Sequence, residues 1–312
     1  MSVDEESLRS KFLGALIGTA MGDALGASLE GWHMLLESEV QALADKRGLL
    51  VYTDDTHMAI GVAESLITKG GFDGEHMAHT FIRNYDLEPF RGYGPGPPRI
   101  FRMIKGGEAW DKASEKLYRG GSYGNGSAMR IAPIGVFFHD DPVRLREVAY
   151  QSSQITHAHE LGKQGAALQA YAVALAATAD PLLPFDSGGF LGKLSDSIEH
   201  EVYRQKLSSI ERLMGEQDRT KVVSGLGHGI EAFNSVPTAI YSFLTNPQSF
   251  AEAVVYAISL GGDTDTIGAM TGAISGAYLG IEAIPQGWKE RLENRAYIEE
   301  LAEKLWLLKR RG

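Results

Sequence analysis

Two short segments of this chain carry the same oxygen-rich signature. Thr53-Asp54-Asp55-Thr56 and Asp263-Thr264-Asp265-Thr266 each stand immediately before a helical pattern. At a helix start, Asp and Thr side chains accept hydrogen bonds from orphan backbone N–H groups, and one such residue per helix suffices. Two aspartates flanked by threonines, twice over, exceed that need. Four carboxylates brought together repel one another unless cations neutralise them, and four negative charges balance two divalent ions. Carboxylate and hydroxyl oxygens, without His or Cys, suit the hard ions Mg2+ or Mn2+ better than zinc. Two readings stand on the spacing: an oxygen-ligand cation site, or helix caps with solvated acids.

A glycine-rich run, Gly120-Gly121-Ser122-Tyr123-Gly124-Asn125-Gly126-Ser127, could present backbone N–H groups to phosphate oxygens. Tyr123 within it offers an aromatic face on which a heterocycle can stack. A tight loop without a ligand explains the run equally well. Thr156-His157-Ala158-His159 is a poor chelate at that spacing, and His157 reads as a polar pocket wall or a satisfied interior histidine. Other fingerprints are missing. Gly192-Lys193 is followed by Leu194 where a Walker loop needs Ser or Thr, and His159-Glu160 lacks the second histidine of H-E-x-x-H. No G-x-G-x-x-G stands between a strand and a helix.

The elements that must position these residues read as helices. Of 312 residues 37 are glycine, about 12% against roughly 7% in average usage. Gly14, Gly18, Gly22 and Gly26 recur every fourth residue, as do Gly268, Gly272, Gly276 and Gly280. That spacing lines one ridge of a helix with small residues, so that another helix backbone can approach closely. Apolar residues at helical spacing mark residues 57–70, 72–85, 145–157, 160–179, 250–260 and 298–312. The last of these is acidic at its start and basic at its end, which suits the helix macrodipole. Loops are expected at 88–99, 118–127 and 180–190, where Gly, Pro and Ser cluster. No series of alternating strands appears. The expected fold is all-α, a single compact multi-helix domain over residues 1–312.

Forty Asp and Glu against thirty Lys and Arg leave a net charge of −10. This argues against a general nucleic-acid binder and against attachment to anionic membranes. With no cysteine, disulfides, thiolate nucleophiles, iron–sulfur clusters and thiolate zinc sites are excluded, in keeping with a reducing compartment. The N-terminal MSVDEESLRS opens acidic, unlike a signal peptide. The apolar stretch from Phe12 to Leu29 is interrupted by Asp23, glycines and a threonine, which speaks against a transmembrane segment. A cytoplasmic monomer is expected.

In order along the chain, GALIGTAMGDALGASLEG, YTDDTHMA, RGYGPG, GSYGNGSAMR, THAHELG, GIEAFNSVPTAIY and SLGGDTDTIGAMTGAISGAYLG resemble the ADP-ribosylhydrolase (ADP-ribosylglycohydrolase) family of all-helical dinuclear-magnesium enzymes. The RGYG, SYGNG and SVPTAIY blocks, with Thr264 between the paired aspartates, resemble the branch acting on serine-linked ADP-ribose, poly(ADP-ribose) and O-acetyl-ADP-ribose. The resemblance implies metal ligation by Thr53, Asp54, Asp55, Asp263, Asp265 and Thr266, with two Mg2+ per chain or Mn2+ in their place. It implies that Glu30 lies on a mobile loop that closes over the metals and is needed for hydrolysis. Gly121, Ser122 and Tyr123 match the loop holding the diphosphate and adenine, and Gly94, His157 and Ile230 match other positions lining the ADP-ribose site. Leu117 departs from the branch's phenylalanine, leaving Tyr118 as a substitute ring. The implied partners are ADP-ribose and ADP-ribosylated proteins or poly(ADP-ribose). The bond broken would be the C1″ glycosidic bond, through an oxocarbenium-like transition state, with Glu30 handling the proton. Two alternatives remain: an arginine-specific ADP-ribosylhydrolase, and a non-catalytic ADP-ribose-binding or structural protein on the same scaffold.

Overall fold

The two glycine ridges meet. Helices Glu5–Gly26 and Thr264–Leu279 run antiparallel, with Gly14 against Gly276, Gly18 against Gly272, Gly22 against Gly268 and Gly26 against Thr264. A Cβ added at any of the four glycines of the first helix would press into a facing backbone carbonyl. From Lys11 on the first helix is buried on every face, as is the second up to Tyr278, so neither shows an amphipathic stripe. Segment Glu5–Leu29 is long and apolar enough to cross a membrane, but 89% of its apolar window is buried inside the fold.

The computed structural model describes residues 4–46 and 48–311. The first three residues of the N-terminal segment and Gly312 of the terminal helical run lie outside the described residues. Among the described residues there is no strand, only two isolated bridges, Leu50 with Leu292 and Gly124 with Glu231. The other helices wrap the central pair. Asp54–Lys69, Ala132–Phe137 and Arg295–Lys309 pack on the first helix, and Glu160–Thr178, Ala232–Thr245 and Phe250–Ser259 pack on the second. One continuous hydrophobic core runs from Phe12 to Trp306.

The expected helices are present with shifted ends. Pro142 begins helix Pro142–Gln154, and Asp141 caps it by accepting the Arg144 N–H at 2.9 Å. Helices Gly96–Lys105 and Ser187–Ser197 start inside stretches read as loops. Pro97 and Pro98 occupy the first turn of one, where a missing N–H costs nothing, and Asp186 caps the other. The terminal helix begins at Arg295, so Glu299 and Glu300 fall beyond its first turn. Glu299 accepts from Arg295 at 2.8 Å instead of serving the macrodipole.

The packing predicts opposite signs for two alanine substitutions. Gly18→Ala is expected to destabilise by about 1–3 kcal/mol through overpacking. Gly192→Ala, exposed on helix Ser187–Ser197 with open space around it, is expected to stabilise by up to about 1 kcal/mol. Thermal denaturation of both variants checks this, and a raised melting temperature for Gly18→Ala would rule out the close ridge contact.

Candidate metal centre and cleft

The antiparallel register brings the C-terminal end of helix Glu5–Gly26 beside the first turn of helix Thr264–Leu279. Helix Asp54–Lys69 starts at the same place. A cleft of ≈ 320 Å³ opens there, and Glu30, Thr53, Asp54, Asp55, Asp263, Asp265 and Thr266 all line it. Capping does not account for these acids. Asp263 occupies the cap position of its helix but makes no side-chain cap hydrogen bond. Thr53 caps the other helix, accepting from the Asp55 N–H at 3.4 Å. Asp55 Oδ2 is buried with no hydrogen-bond partner, a costly state for a carboxylate unless a cation faces it.

Glu30, Asp263 and Asp265 each offer a carboxylate oxygen within 4.8 Å of the others. Glu30 thus stands within ligand reach of the second motif. Its loop is tied down on that side. The Gly31 N–H donates to Gly262 O at 2.8 Å, the Gly262 N–H to Trp32 O at 3.0 Å, and the Leu35 N–H to Ser259 O at 3.0 Å.

Sequence reasoning passed over three buried residues here. Asp23, seen only as an interruption of an apolar run, is fully buried and accepts from Thr53 and Thr56. Asn125 donates through Nδ2 to Asp263 Oδ2 at 2.5 Å and to Ser235 Oγ at 3.0 Å, joining the glycine-rich loop to the second acid motif. Arg130 is fully buried, 4.6 Å above the Phe81 ring, and donates to the carbonyls of Gly126 (3.2 Å) and Ser152 (2.9 Å). It has no carboxylate in contact. With Glu30, six carboxylates meet one guanidinium in this region, a formal excess of five negative charges. The deepest signal for Asp23 in the sequence was its place one turn before the end of a glycine ridge.

Electrostatics follow from this crowding. Burial, then Asp23, pushes the Asp54 carboxyl up to about 8. Burial and Asp263 push Asp265 up to about 7, and burial raises Asp55 well above the ordinary range. The charge of Asp265, then burial, raises Glu30. An oxygen-only donor set, an unpartnered buried carboxylate oxygen and an excess of carboxylates over cationic groups fit hard divalent cations.

The substrate-side expectations divide. Gly94, Ser122, His157 and Ile230 line the cleft. His157 is buried, with Nδ1 2.8 Å from Thr156 Oγ1, and burial lowers it to about 3, so it faces the cleft as a neutral imidazole. Gly121 has φ +81°, and a Cβ there would stand 2.6 Å from Ala158 C, so glycine is required. Gly121 and Tyr123 shape the loop without lining the cleft. The Tyr123 ring is half exposed and packs edge-on against His159, centroids 5.6 Å apart. Tyr118 is the aromatic ring among the lining residues, while Leu117 packs against the core. Gly120 to Gly124 also spell the G-x-S-x-G of a nucleophile elbow. No strand leads into them, and Ser122 Oγ accepts the Gly124 N–H at 3.2 Å.

Fold and site together define an all-helical protein whose carboxylate-lined cleft adjoins a glycine-rich loop. The chain belongs to the ADP-ribosylglycohydrolase family, whose model matches residues 4–312. It is 36% identical to human ADP-ribosylhydrolase ARH3, over 95% of this chain and 93% of that protein. It is 26% identical to the ADP-ribosyl-[dinitrogen reductase] glycohydrolase of Rhodospirillum rubrum, over 92% of each chain. A solved ADP-ribosylglycohydrolase-related protein complex superposes with a TM-score of 0.76 at 26% identity, covering 97% of this chain and 99% of that one. The identity to ARH3 proteins, 38% for the bovine one, places the chain with the ARH3-like branch.

A carboxyl raised in the folded state contributes stability below its unfolded value of about 3.9, and that contribution is lost as pH rises through the folded value. Cations that bind the ionised acids restore it. The gain in melting temperature on replacing EDTA by Mg2+ is therefore expected to grow from about pH 5.5 to about pH 8. A gain that is flat with pH, or largest in acid, would contradict the site.

Proposed function

We propose that the chain hydrolyses the C1″ glycosidic bond of ADP-ribose conjugates and so reverses ADP-ribosylation. The reading takes serine-linked ADP-ribose, poly(ADP-ribose) and O-acetyl-ADP-ribose as substrates, two Mg2+ or Mn2+ as cofactors, and a cytoplasmic monomer as the working form. The observation that carries it is the cleft itself, where Asp55 Oδ2 is buried without a partner between two acid motifs and beside the glycine-rich loop. The relatives named for ADP-ribosyl hydrolysis support the chemistry.

Thr53, Asp54 and Asp55 from one helix and Asp263, Asp265 and Thr266 from the other would hold the cations. When bound, these supply Lewis-acid polarisation and charge balance at the ribose oxygens. The protein does the rest. With the Gly121 N–H given to Tyr118 O and the Gly124 N–H to Ser122 Oγ, the donors left for a diphosphate are the Ser122 hydroxyl and the backbone N–H groups of Ser122 and Tyr123. His157, neutral, offers a hydrogen bond without adding charge. Gly94 and Ile230 bound the channel, and Tyr118 offers the ring nearest to it. Glu30 stands at the mouth, where an acid free of backbone partners can move a proton to or from the reacting oxygen.

Release of ADP-ribose from serine-linked, arginine-linked and polymeric conjugates, measured side by side with and without EDTA, tests this reading. Release from the serine-linked and polymeric substrates that EDTA abolishes is expected. Preference for the arginine-linked substrate would move the chain to the arginine-specific class, and no release from any would leave a binding or structural protein.

The grouping of Glu30 with Asp263 and Asp265 favours a second role for it, as a ligand. Glu30→Gln separates the two. As a proton carrier, its loss lowers turnover by about 10²–10⁴ while Mg2+ and ADP-ribose still bind as in the wild type. Loss of Mg2+ in calorimetric titration would make Glu30 a ligand instead.

A further inference from the structure

Asp23 is as deeply buried as any acid in the molecule, yet its position differs from that of the four aspartates lining the cleft. It does not line the cleft, and its oxygens are filled by donors. Oδ1 accepts from the Thr53 N–H at 3.0 Å and from Thr53 Oγ1 at 2.8 Å. Oδ2 accepts from the Thr56 N–H at 3.0 Å and from Thr56 Oγ1 at 2.6 Å, with the Thr53 N–H also within 3.1 Å. An aspartate on one helix thus caps the start of another, thirty residues on.

The consequence lies in hydroxyl polarity. A threonine hydroxyl has one proton and two lone pairs. Once Thr53 gives its proton to Asp23 and one lone pair to the Asp55 N–H, a single lone pair remains for the cleft that Thr53 lines, and a cation can be bound only by a lone pair. We propose that Asp23 is a positioning residue for the metal centre, holding the Thr53 hydroxyl in the orientation that makes it a ligand. This rests on the metal reading of the cleft.

The partners explain why an acid is needed. All of them are donors, so asparagine in the same place must turn its Nδ2 toward one pair. Facing Thr53, the amide reverses the hydroxyl and aims its proton into the cleft. Facing Thr56, it leaves the Thr56 N–H without an acceptor and loosens the first turn that carries Asp54 and Asp55. Partners behind metal ligands typically contribute about 10–100-fold in metal affinity.

Mn2+ binding to the full chain, followed by calorimetry or by the spectrum of the free ion, requires no turnover. Asp23→Asn and Thr53→Val are each expected to weaken Mn2+ binding about 10–100-fold, and the double variant to be scarcely weaker than either alone, since both remove one interaction. Thr56→Val, which removes a partner of Asp23 outside the cleft, is expected to lower the melting temperature and leave Mn2+ affinity within about threefold. Additive losses in the double variant, or an Asp23→Asn protein that melts earlier but binds Mn2+ like the wild type, reduce Asp23 to a structural cap and overturn the proposal. Should Asp23→Asn not fold, Thr53→Ser against Thr53→Val decides. Serine keeps the bond to Asp23 and should keep the affinity, and equal affinities of the two variants overturn the proposal. Asp55→Asn serves as the control for the metal reading. Wild-type binding lost there and kept in Asp23→Asn refutes the role of Asp23 alone, whereas no Mn2+ binding by the wild type refutes both.

Discussion

Everything in this fold that concerns chemistry depends on two helix backbones touching. Four glycines of Glu5–Gly26 face three glycines and Thr264 of the antiparallel helix, and side chains at these positions would hold the axes apart. Close contact also fixes register. A slip of one turn, about 5.4 Å, would carry Asp265 past Asp23 and leave Glu30 beside the wrong residues. Glycine costs up to about 1 kcal/mol per position in a helix. The helices accept that cost because the reward is positional: acids far apart in sequence, at residues 23–30 and 263–265, arrive at one end of one helix pair.

The second constraint is charge. Asp23, Asp55, Asp263 and Asp265 are all buried, and Asp54 stands with them at the cleft. Among the described residues, only Arg130 brings a buried positive charge to the same region, held by two carbonyls and an aromatic face and by no acid. Asp23 is filled by the N–H and hydroxyl groups of Thr53 and Thr56, Asp263 and Asp265 accept from Asn125 and the Thr266 N–H, and Asp55 Oδ2 is left without a partner. Such an arrangement is unfavourable in isolation, which is why the acids of the cleft are pushed toward neutrality. A cation bound there would turn that cost into affinity. The glycine-rich loop is coupled to the same charges through Asn125, whose side chain reaches Asp263 while its backbone N–H donates to Ile230 O at 2.9 Å.

The parts of this account legible in the sequence are those with a local period or a local excess. Glycine every fourth residue announced a close helix contact, and paired aspartates with threonines exceeded what a cap requires. What the sequence concealed depends on partners distant in the chain. Asp23 looked like a polar break because the donors that satisfy it lie thirty residues away. Glu30 stood apart from the metal motifs because its place beside Asp263 comes from backbone bonds between residues 31–35 and 259–262. Tyr123 sits in the motif, but its ring packs on His159 and Phe233, and Tyr118, outside the motif, faces the cleft. Helix ends shifted wherever a proline in the first turn or an aspartate cap recruited residues that read as loop.

The central claim is that the glycine-ridged pair assembles one two-cation site from two acid motifs. Crystals of the chain grown with Mn2+, with anomalous diffraction recorded above the manganese edge, test it most directly. Two anomalous peaks are expected, both between the first turns of helices Asp54–Lys69 and Thr264–Leu279 and about 3.5–4 Å apart, as in other two-metal sites. Peaks elsewhere on the acidic surface, or none in the cleft at saturating Mn2+, would contradict the account.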